Sequence, residues 1–155
     1  MDDLACLPIN IQNQAMDEQL EKNKAVVLRF NHECLANGDD SVLEHIMDPE
    51  FVNRSAMPGI DKGVEGMRFV IKEVLHKGLS QVRVEIDDII AEGDRVATRK
   101  RILGRHTGEF LGATPTGQDL EINVFDIVRL RDGKYLEHWG LNTIPLVVQS
   151  LKSGS

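Results

Sequence analysis

The sequence predicts an α+β fold in which helices pack on one face of a strongly curved, mostly antiparallel sheet. Apolar residues recur at a spacing of three and four in the first half of the chain and alternate with polar residues in the second half. The 155 residues are enough for one domain with one core. Helices followed by an antiparallel meander are typical of a fold whose helices lie together on one side of the sheet.

The N-terminal region divides into an arm and the start of the domain. Residues 1–16 mix polar and isolated apolar residues without a period, so we predict a loose N-terminal arm there and a single domain at residues 17–151. Helical spacing of apolar residues predicts a first helix from about residue 17 to residue 36. Asn37 and Gly38 follow it and are typical of a helix end.

Two further helices are predicted before the strands begin. The first is short, with Leu43 and Ile46 facing the core, and it ends at Pro49 because proline cannot continue a helix. The second runs from about residue 63 to residue 77, and Gly78 is a natural residue to follow its last turn. Three helices are therefore expected in the N-terminal half.

After Gly78 the hydrophobic period changes from helical spacing to alternation, which predicts strands. Gly93-Asp94 and Asp132-Gly133 are typical turn pairs, and a loop rich in glycine, threonine and proline lies between the second and third predicted strands. A short apolar helix is expected at the C-terminal end. The predicted strands are residues 82–86, 95–106, 119–130 and 135–142.

Composition and charge exclude several classes of function. The net charge of −7 disfavours nucleic-acid binding, which needs a basic surface. No apolar stretch approaches the ~20 residues of a membrane span, and the acidic first residues do not resemble a secretion signal. Two cysteines cannot form a disulfide framework, so we expect a reducing, cytoplasmic setting. We predict no nucleic-acid partner and no membrane association.

The sequence contains no motif typical of phosphate, dinucleotide or metal binding. No two of its five histidines stand at a metal-ligand spacing on one predicted helix, so we expect no bound metal.

The most informative residue is Asp126, which lies within the apolar run Val124–Val128 of a predicted strand. An ionised carboxylate without a partner would be costly to bury in such a strand. We therefore expect a partner for Asp126 on the neighbouring strand, which begins after the Asp132-Gly133 turn.

Which residue faces Asp126 depends on the length of this turn. A two-residue loop would place Asp126 across from Trp139. A three-residue loop would place it across from His138, with Val124 across from Gly140. The second register forms a carboxylate–imidazole pair on an apolar wall, which suits acid–base chemistry near neutral pH. The alternative is that His138 only neutralises a structural aspartate.

Two arginines and an apolar face of the predicted sheet can each be interpreted in two ways. Arg99 and Arg101 share one face of their strand, where they form a solvated edge or one of them enters a cavity to bind an enolate or carboxylate. The face opposite Asp126 is apolar, and we predict that it forms a homodimer interface unless the N-terminal arm covers it. Its residues are Phe125, Ile127, Tyr135, Trp139 and Leu141.

Three stretches resemble the SnoaL-like polyketide cyclase (ester cyclase) family. They are DPEFVN at residues 48–53, GRHTGEFLGATPTG at 104–117 and RLRDGKYLEHW at 129–139. Their order and spacing also match, and the resemblance covers roughly residues 20–150. It implies a cone-shaped α+β barrel of the nuclear-transport-factor-2-like superfamily, with three helices over a curved sheet and a deep cavity between them.

The resemblance also implies a reaction and a set of cavity residues. Cyclases of this family close a ring by intramolecular aldol condensation of a small-molecule polyketide ester, without a metal or cofactor. Their cavity positions correspond to Asn53, Val124, Asp126 and Gly140. Asn53 matches the family's asparagine, and Asp126 stands where a prototypical cyclase has a histidine. Gly140 stands where those cyclases have their catalytic aspartate.

The glycine at 140 leaves two hypotheses. In the first, the chain is a cyclase or isomerase acting on a carbonyl-bearing, mostly apolar molecule. Asp126 is then the general acid or base, His138 is its partner, and Asn53 and Arg99 hold the carbonyl oxygen as its charge develops. In the second, the chain is a small-molecule-binding domain without catalysis, or a family member with hydroxylase or dehydratase chemistry.

Overall fold

The computed structural model describes residues 4–154, and, as the sequence predicts, helices precede an antiparallel meander and a short helix follows it. The helices are α1 (Ile9–Arg29), α2 (Leu43–Ile46), α3 (Val64–Phe69), α4 (His76–Gly78) and α5 (Ile144–Ser153). The strands are β1 (Met47–Asn53), β2 (Leu79–Glu92), β3 (Arg95–His106), β4 (Asp119–Arg131) and β5 (Lys134–Asn142). No helix in this part of the chain has the length and apolar character that crossing a membrane requires.

The prediction of a loose arm at residues 1–16 is wrong for residues 9–16, which form the first turns of α1. The helix begins directly after Pro8, and the Gln12 side chain donates to the Leu7 carbonyl oxygen at 2.6 Å. Ile9 and Met16 remain exposed on these turns. Because this part of α1 packs against little, its sequence has no apolar period even though it is helical. Residues 1–3 of the predicted arm lie outside the described residues.

Both long helical segments change to π-helical geometry where they approach the sheet. α1 continues as a π-helix over Phe30–Ala36, and α3 continues as a π-helix over Val70–Leu75 before α4. A π-helix inserts extra residues into the turns of an α-helix and is often found next to functional sites. Here the two segments supply Phe30, Leu35, Val70 and Leu75 to the wall of a cavity.

The five strands form one sheet in the order β1-β5-β4-β3-β2. β1 runs parallel to β5, and the other neighbours are antiparallel. Irregularities at two places bend β2, which contributes to the curvature of the sheet. We call the buried face, which carries Val124, Asp126 and Val128, the inner face, and we call the opposite one the outer face. The helices cover the inner face.

Neither predicted register of the last hairpin is right. Asp132 and Gly133 form a two-residue turn with positive φ angles of 52° and 73°, and Arg131 pairs with Lys134. A bulge follows, at which β5 contains one residue more than β4. The pairing is shifted by this extra residue, so Asp126 lies opposite Gly140.

The bulge also changes which residues of β5 face the core. Tyr135 and Leu136 are both buried, so the prediction that Tyr135 belongs to the apolar outer face is wrong. Tyr135 is 1 % exposed and packs against Phe30, with the ring centroids 5.1 Å apart. Beyond the bulge, the same residues of β5 face inward as in the register predicted for a three-residue loop, because the two registers differ by two residues. His138 therefore shares the inner face with Asp126.

Candidate active site

A cavity of about 390 Å³ lies between the inner face of the sheet and the helices. Its wall is mostly apolar and comes from the π-helical segments, the loop after β1, the central strands and the start of α5. The polar side chains that line it are Asn53, Ser55, Lys100, Asp126, His138 and Asn142. This size and lining are typical of a small-molecule site.

Asp126 is 8 % exposed and lies within hydrogen-bond distance of three neighbouring side chains. Lys100 Nζ on β3 lies 3.0 Å from Oδ2, and the Thr98 hydroxyl donates to Oδ1. His138 Nε2 on β5 lies 3.3 Å from Oδ2. Because adjacent strands bring all three donors to the inner face, the carboxylate is held by cross-strand contacts alone.

Opposing effects act on the pKa of Asp126. Burial raises it, while the Lys100 cation and the hydrogen bonds from His138 and Thr98 lower it. The lowering effects dominate, so the pKa lies well below the ordinary value of 3.8. Asp126 is therefore an anion throughout the neutral pH range.

The low pKa of Asp126 makes the stability of the fold sensitive to acid. Below the ordinary pKa, the unfolded chain protonates this carboxyl while the folded chain does not, so acid favours unfolding. We expect the stability that Asp126 contributes to be complete at neutral pH and to decline from about pH 5 downward. Urea unfolding of the wild type and Asp126→Asn at a series of pH values measures this contribution. The difference between their free energies of unfolding should shrink as the pH falls, and a constant difference would contradict the shifted pKa.

His138 is held from both sides by oxygen atoms. Its Nδ1 lies 2.9 Å from Asn53 Oδ1, and its Nε2 faces Asp126. The backbone N–H of Ser55 donates to the same Asn53 oxygen at 3.0 Å, which fixes the orientation of the amide. A neutral imidazole can donate to one of these oxygens, whereas an imidazolium donates to both. Each ring nitrogen of His138 therefore has an oxygen acceptor within reach.

Five of the six residues predicted for the site line the cavity, and one does not. Arg99 lies on the outer face, where its Nε is 2.6 Å from Asp88 Oδ2 and its side chain is 48 % exposed. The prediction that Arg99 holds a substrate oxygen is therefore wrong. Arg101 shares its face and pairs with Asp87. The five residues at the cavity are Asn53, Val124, Asp126, His138 and Gly140.

Two residues of the site, Lys100 and Thr98, were not predicted. Both alternate with the outward-facing arginines of β3 and share the inner face with Val96 and Ile102. The sequence does contain a signal for them. Thr98 and Lys100 stand at even spacing from the apolar residues Val96 and Ile102, which places all four on the buried side of the strand. A lysine between two arginines is otherwise typical of a solvated edge.

The space next to Gly140 is already occupied by His138. A Cβ atom on Gly140 would lie 3.0 Å from His138 Cε1 and 3.3 Å from Asp126 Cβ. An aspartate at this position would therefore require the imidazole ring to move. The glycine at 140 therefore leaves the space in which the His138 ring contacts Asp126.

Within residues 4–154, no group of three or more His, Cys, Asp or Glu side chains could hold a metal ion. The absence of a bound metal remains a prediction.

The curved five-stranded sheet, the helices on its inner face and the cavity between them define a protein of the nuclear-transport-factor-2-like fold. The model of the SnoaL-like polyketide cyclase family matches residues 25–143. The chain belongs to this family, as its three motifs indicate. Among functionally curated proteins, none matches this chain.

Solved structures of similar proteins cover most of the chain. TsrD from Streptomyces laurentii is 25% identical, with a TM-score of 0.75 over 84% of this chain and 95% of its own. A candidate SnoaL-like polyketide cyclase from Jannaschia sp. CCS1 is 27% identical, with a TM-score of 0.72 over 87% and 94%. AclR from Streptomyces galilaeus, described as a candidate hydroxylase, is 29% identical, with a TM-score of 0.72 over 84% and 81%.

Proposed function

We propose that this protein is an enzyme of the cyclase or isomerase type that transfers protons on a carbonyl-bearing, mostly apolar small molecule without a cofactor. The observation that carries this proposal is the contact between Asp126 and His138 in the wall of an otherwise apolar cavity. A carboxylate beside an imidazole is a common arrangement for general acid–base catalysis. Membership of a family of cyclases supports the same type of reaction.

The surroundings of the pair assign different roles to its two members. Lys100 and Thr98 keep Asp126 ionised, and a carboxylate with such a low pKa is a weak base. We therefore assign proton transfer to His138 and stabilisation of the protonated ring to Asp126. We assign Nε2 as the nitrogen that gains and loses the proton, because in the neutral ring Nδ1–H can donate to Asn53 Oδ1. When the ring is protonated, Nε2–H also donates to Asp126 Oδ2.

The reaction follows from these roles. His138 Nε2 removes a proton from the carbon next to the substrate carbonyl and forms an enolate. In a ring closure, the enolate carbon forms a bond to a second carbonyl carbon, whose oxygen takes the proton back from the imidazolium. In an isomerisation, the proton returns to a different carbon. We assign the amide N–H groups of Asn53, which lines the cavity, to donate to the carbonyl oxygen.

Proton exchange can test this proposal before the substrate is known. We expect the wild type to catalyse deuterium uptake next to the carbonyl of some members of a panel of apolar ketones and keto esters in D2O, measured by mass spectrometry. His138→Gln keeps a hydrogen-bonding side chain but cannot transfer protons at neutral pH, so exchange should fall by about 10²–10⁴-fold. Arg101→Gln, on the outer face, is the matched control and should exchange at the wild-type rate.

A specific observation favours a second function, which is ligand binding without catalysis. Gly140 replaces the aspartate that the family resemblance associates with acid–base chemistry. If panel members bind to the wild type without any deuterium uptake, this alternative replaces the proposal. Exchange that persists at the wild-type rate in His138→Gln would instead reject the role of His138. The similarity to AclR makes hydroxylation of a bound compound a further outcome to look for in the products.

We also propose that the protein forms a homodimer through the outer face. Phe125 is 60 % exposed, its β5 partner Leu141 is 80 % exposed, and Ile127, two residues along β4, is also exposed. Trp139 is half-buried, with the Arg95 guanidinium 5.7 Å from its ring. The described part of the N-terminal segment, residues 4–16, leaves this apolar face open, which removes the alternative that this part covers it.

Sedimentation tests the homodimer. The wild type should sediment as a dimer at micromolar concentration, because a contiguous apolar face of this kind is unfavourable in water. Phe125→Glu should shift the equilibrium to monomer, since it places a charge in the centre of the apolar face. Phe69→Glu, an exposed position on the helical side, is the matched control. A wild type that sediments as a monomer would reject the interface.

A further inference from the structure

We propose that Lys100 makes the polar end of the cavity a binding site for an oxyanion, so that the ligand combines an apolar body with a carboxylate or an ionised 1,3-dicarbonyl head. This inference rests on the proposed use of the cavity as the substrate site. It extends that proposal by naming the charge of the ligand and the residue that recognises it.

The first observation is the incomplete hydrogen bonding of a buried ammonium group. Lys100 is 3 % exposed and lines the cavity from β3. An ammonium has three N–H donors. Among residues 4–154, the Lys100 ammonium has one hydrogen-bond acceptor, Asp126 Oδ2. The other two donors have no protein partner in that range. A buried charged group with unfilled donors is unfavourable, so a ligand that accepts from it is stabilised.

The second observation is that Asp126 has little capacity left to bind a ligand. Its two oxygens already accept from Thr98 and Lys100, and Oδ2 also faces His138 Nε2 at 3.3 Å. A carboxylate offers about four acceptor positions, and three of them are taken here. The other polar side chains of the lining offer donors, namely Lys100 Nζ, the amide nitrogens of Asn53 and Asn142, and the Ser55 hydroxyl. The oxygens of Ser55 and Asn142 already accept from the backbone N–H groups of Gly140 and Ile144. Donors select a ligand whose polar end is an acceptor.

The charge of the site points in the same direction. The charged or titratable side chains that line the cavity are Lys100, Asp126 and His138. Lys100 and Asp126 cancel each other, so the site presents no net negative charge that would repel an anion. An oxyanion makes charge-assisted hydrogen bonds with the Lys100 ammonium, which are stronger than neutral ones. The apolar wall, which includes Phe30 and Met67, accommodates the rest of the ligand.

Calorimetric titration at pH 7.5 with three probes of similar length tests the site in the wild type. Decanoate supplies a carboxylate, 2-octylcyclohexane-1,3-dione supplies an ionised dicarbonyl, and decan-1-ol supplies a neutral head. We expect at least one anion to bind on the order of tenfold to a hundredfold more tightly than the alcohol. Tighter binding of decanoate assigns the head to a carboxylate, and tighter binding of the dione assigns it to an enolate. Equal affinity for all three probes overturns the proposal.

Variants then test the role of Lys100 itself. Lys100→Met alone leaves Asp126 buried without its cation, so the comparison is made in Asp126→Asn, where the lysine has no carboxylate partner. We expect Asp126→Asn to bind the preferred anion at least as tightly as the wild type does. The double variant Lys100→Met/Asp126→Asn should lose on the order of tenfold or more while keeping the affinity for decan-1-ol. Equal anion binding by the single and double variants overturns the proposal.

Arg99→Met is the matched control, because it removes a cation from the adjacent position on the outer face. It should bind all three probes as the wild type does, and circular dichroism verifies that each variant is folded. None of the probes has to react, so the binding result is independent of the deuterium-exchange assay. Anion binding without exchange rejects the catalytic proposal alone, whereas exchange without a preference for anions rejects the oxyanion site alone.

Discussion

Asp126→Asn is expected to abolish turnover and to destabilise the fold by about 3 kcal/mol, since it removes one partner of a buried ion pair. The asparagine keeps the shape of the side chain but leaves the Lys100 ammonium without a counter-charge. It also removes the anion that stabilises a proton on His138. The free energy of unfolding in urea measures the first effect, and deuterium exchange with an active ketone measures the second.

A double variant separates the two effects of this substitution. Lys100→Met in the Asp126→Asn background removes the uncompensated cation, so much of the lost stability should return. Turnover should not return, because the anion beside His138 is still missing. If Asp126→Asn loses stability but retains full activity, Asp126 is structural and has no part in proton transfer. If it loses neither, the pair has no energetic role at all.

Gly140→Asp is expected to damage the site, even though it restores the aspartate found in prototypical cyclases of the family. The new Cβ atom would lie 3.0 Å from His138 Cε1, so the ring must shift, which disturbs its contacts with Asn53 and Asp126. The new carboxylate would also stand opposite Asp126, because the two positions are paired in the sheet. Like charges at that distance disfavour the ionised form of one of them. We expect a loss of about 1–3 kcal/mol from overpacking, with further loss from charge repulsion, and a large loss of exchange activity.

Two control variants separate the steric from the electrostatic cause of the stability loss in Gly140→Asp. Gly140→Ala introduces the Cβ atom without the charge, so it should cost less stability than Gly140→Asp. Gly140→Asp/His138→Ala removes the ring that occupies the space, so its free energy of unfolding should exceed that of Gly140→Asp. An increase in exchange activity in Gly140→Asp would show that the missing aspartate, and not the Asp126–His138 pair, limits the reaction.

Much of the fold could be predicted because most of its elements leave a periodic pattern. The strands were recognisable from the alternation that places Ile122, Val124 and Val128 on the inner face. The first turns of α1 were not, because Ile9 and Met16 are exposed and an exposed helix has no apolar period. Hydrophobic periodicity reports which face is buried, and it says little about a helix that buries none.

The site was only partly predictable, for a reason that lies in the hairpin. Asp126 and His138 share a face in the structure although neither predicted register is right, because the β5 bulge and a three-residue loop produce the same alternation. The bulge itself has no glycine or proline to reveal it, and it is also the reason that Tyr135 points into the core. Lys100 was missed because two arginines flank it and the predicted role was given to Arg99.

The parallel pairing of β1 with β5 has a consequence for how the protein folds. Asn53 and His138 meet across 85 residues of sequence, and β1 has β5 as its neighbour in the sheet. Contacts between segments so far apart in sequence carry a large loop-closure cost and are associated with slow folding. During synthesis, β1 leaves the ribosome long before β5 and must wait for the strand that will pair with it. The wall of the cavity that contains His138 is thus among the last parts of the protein to form.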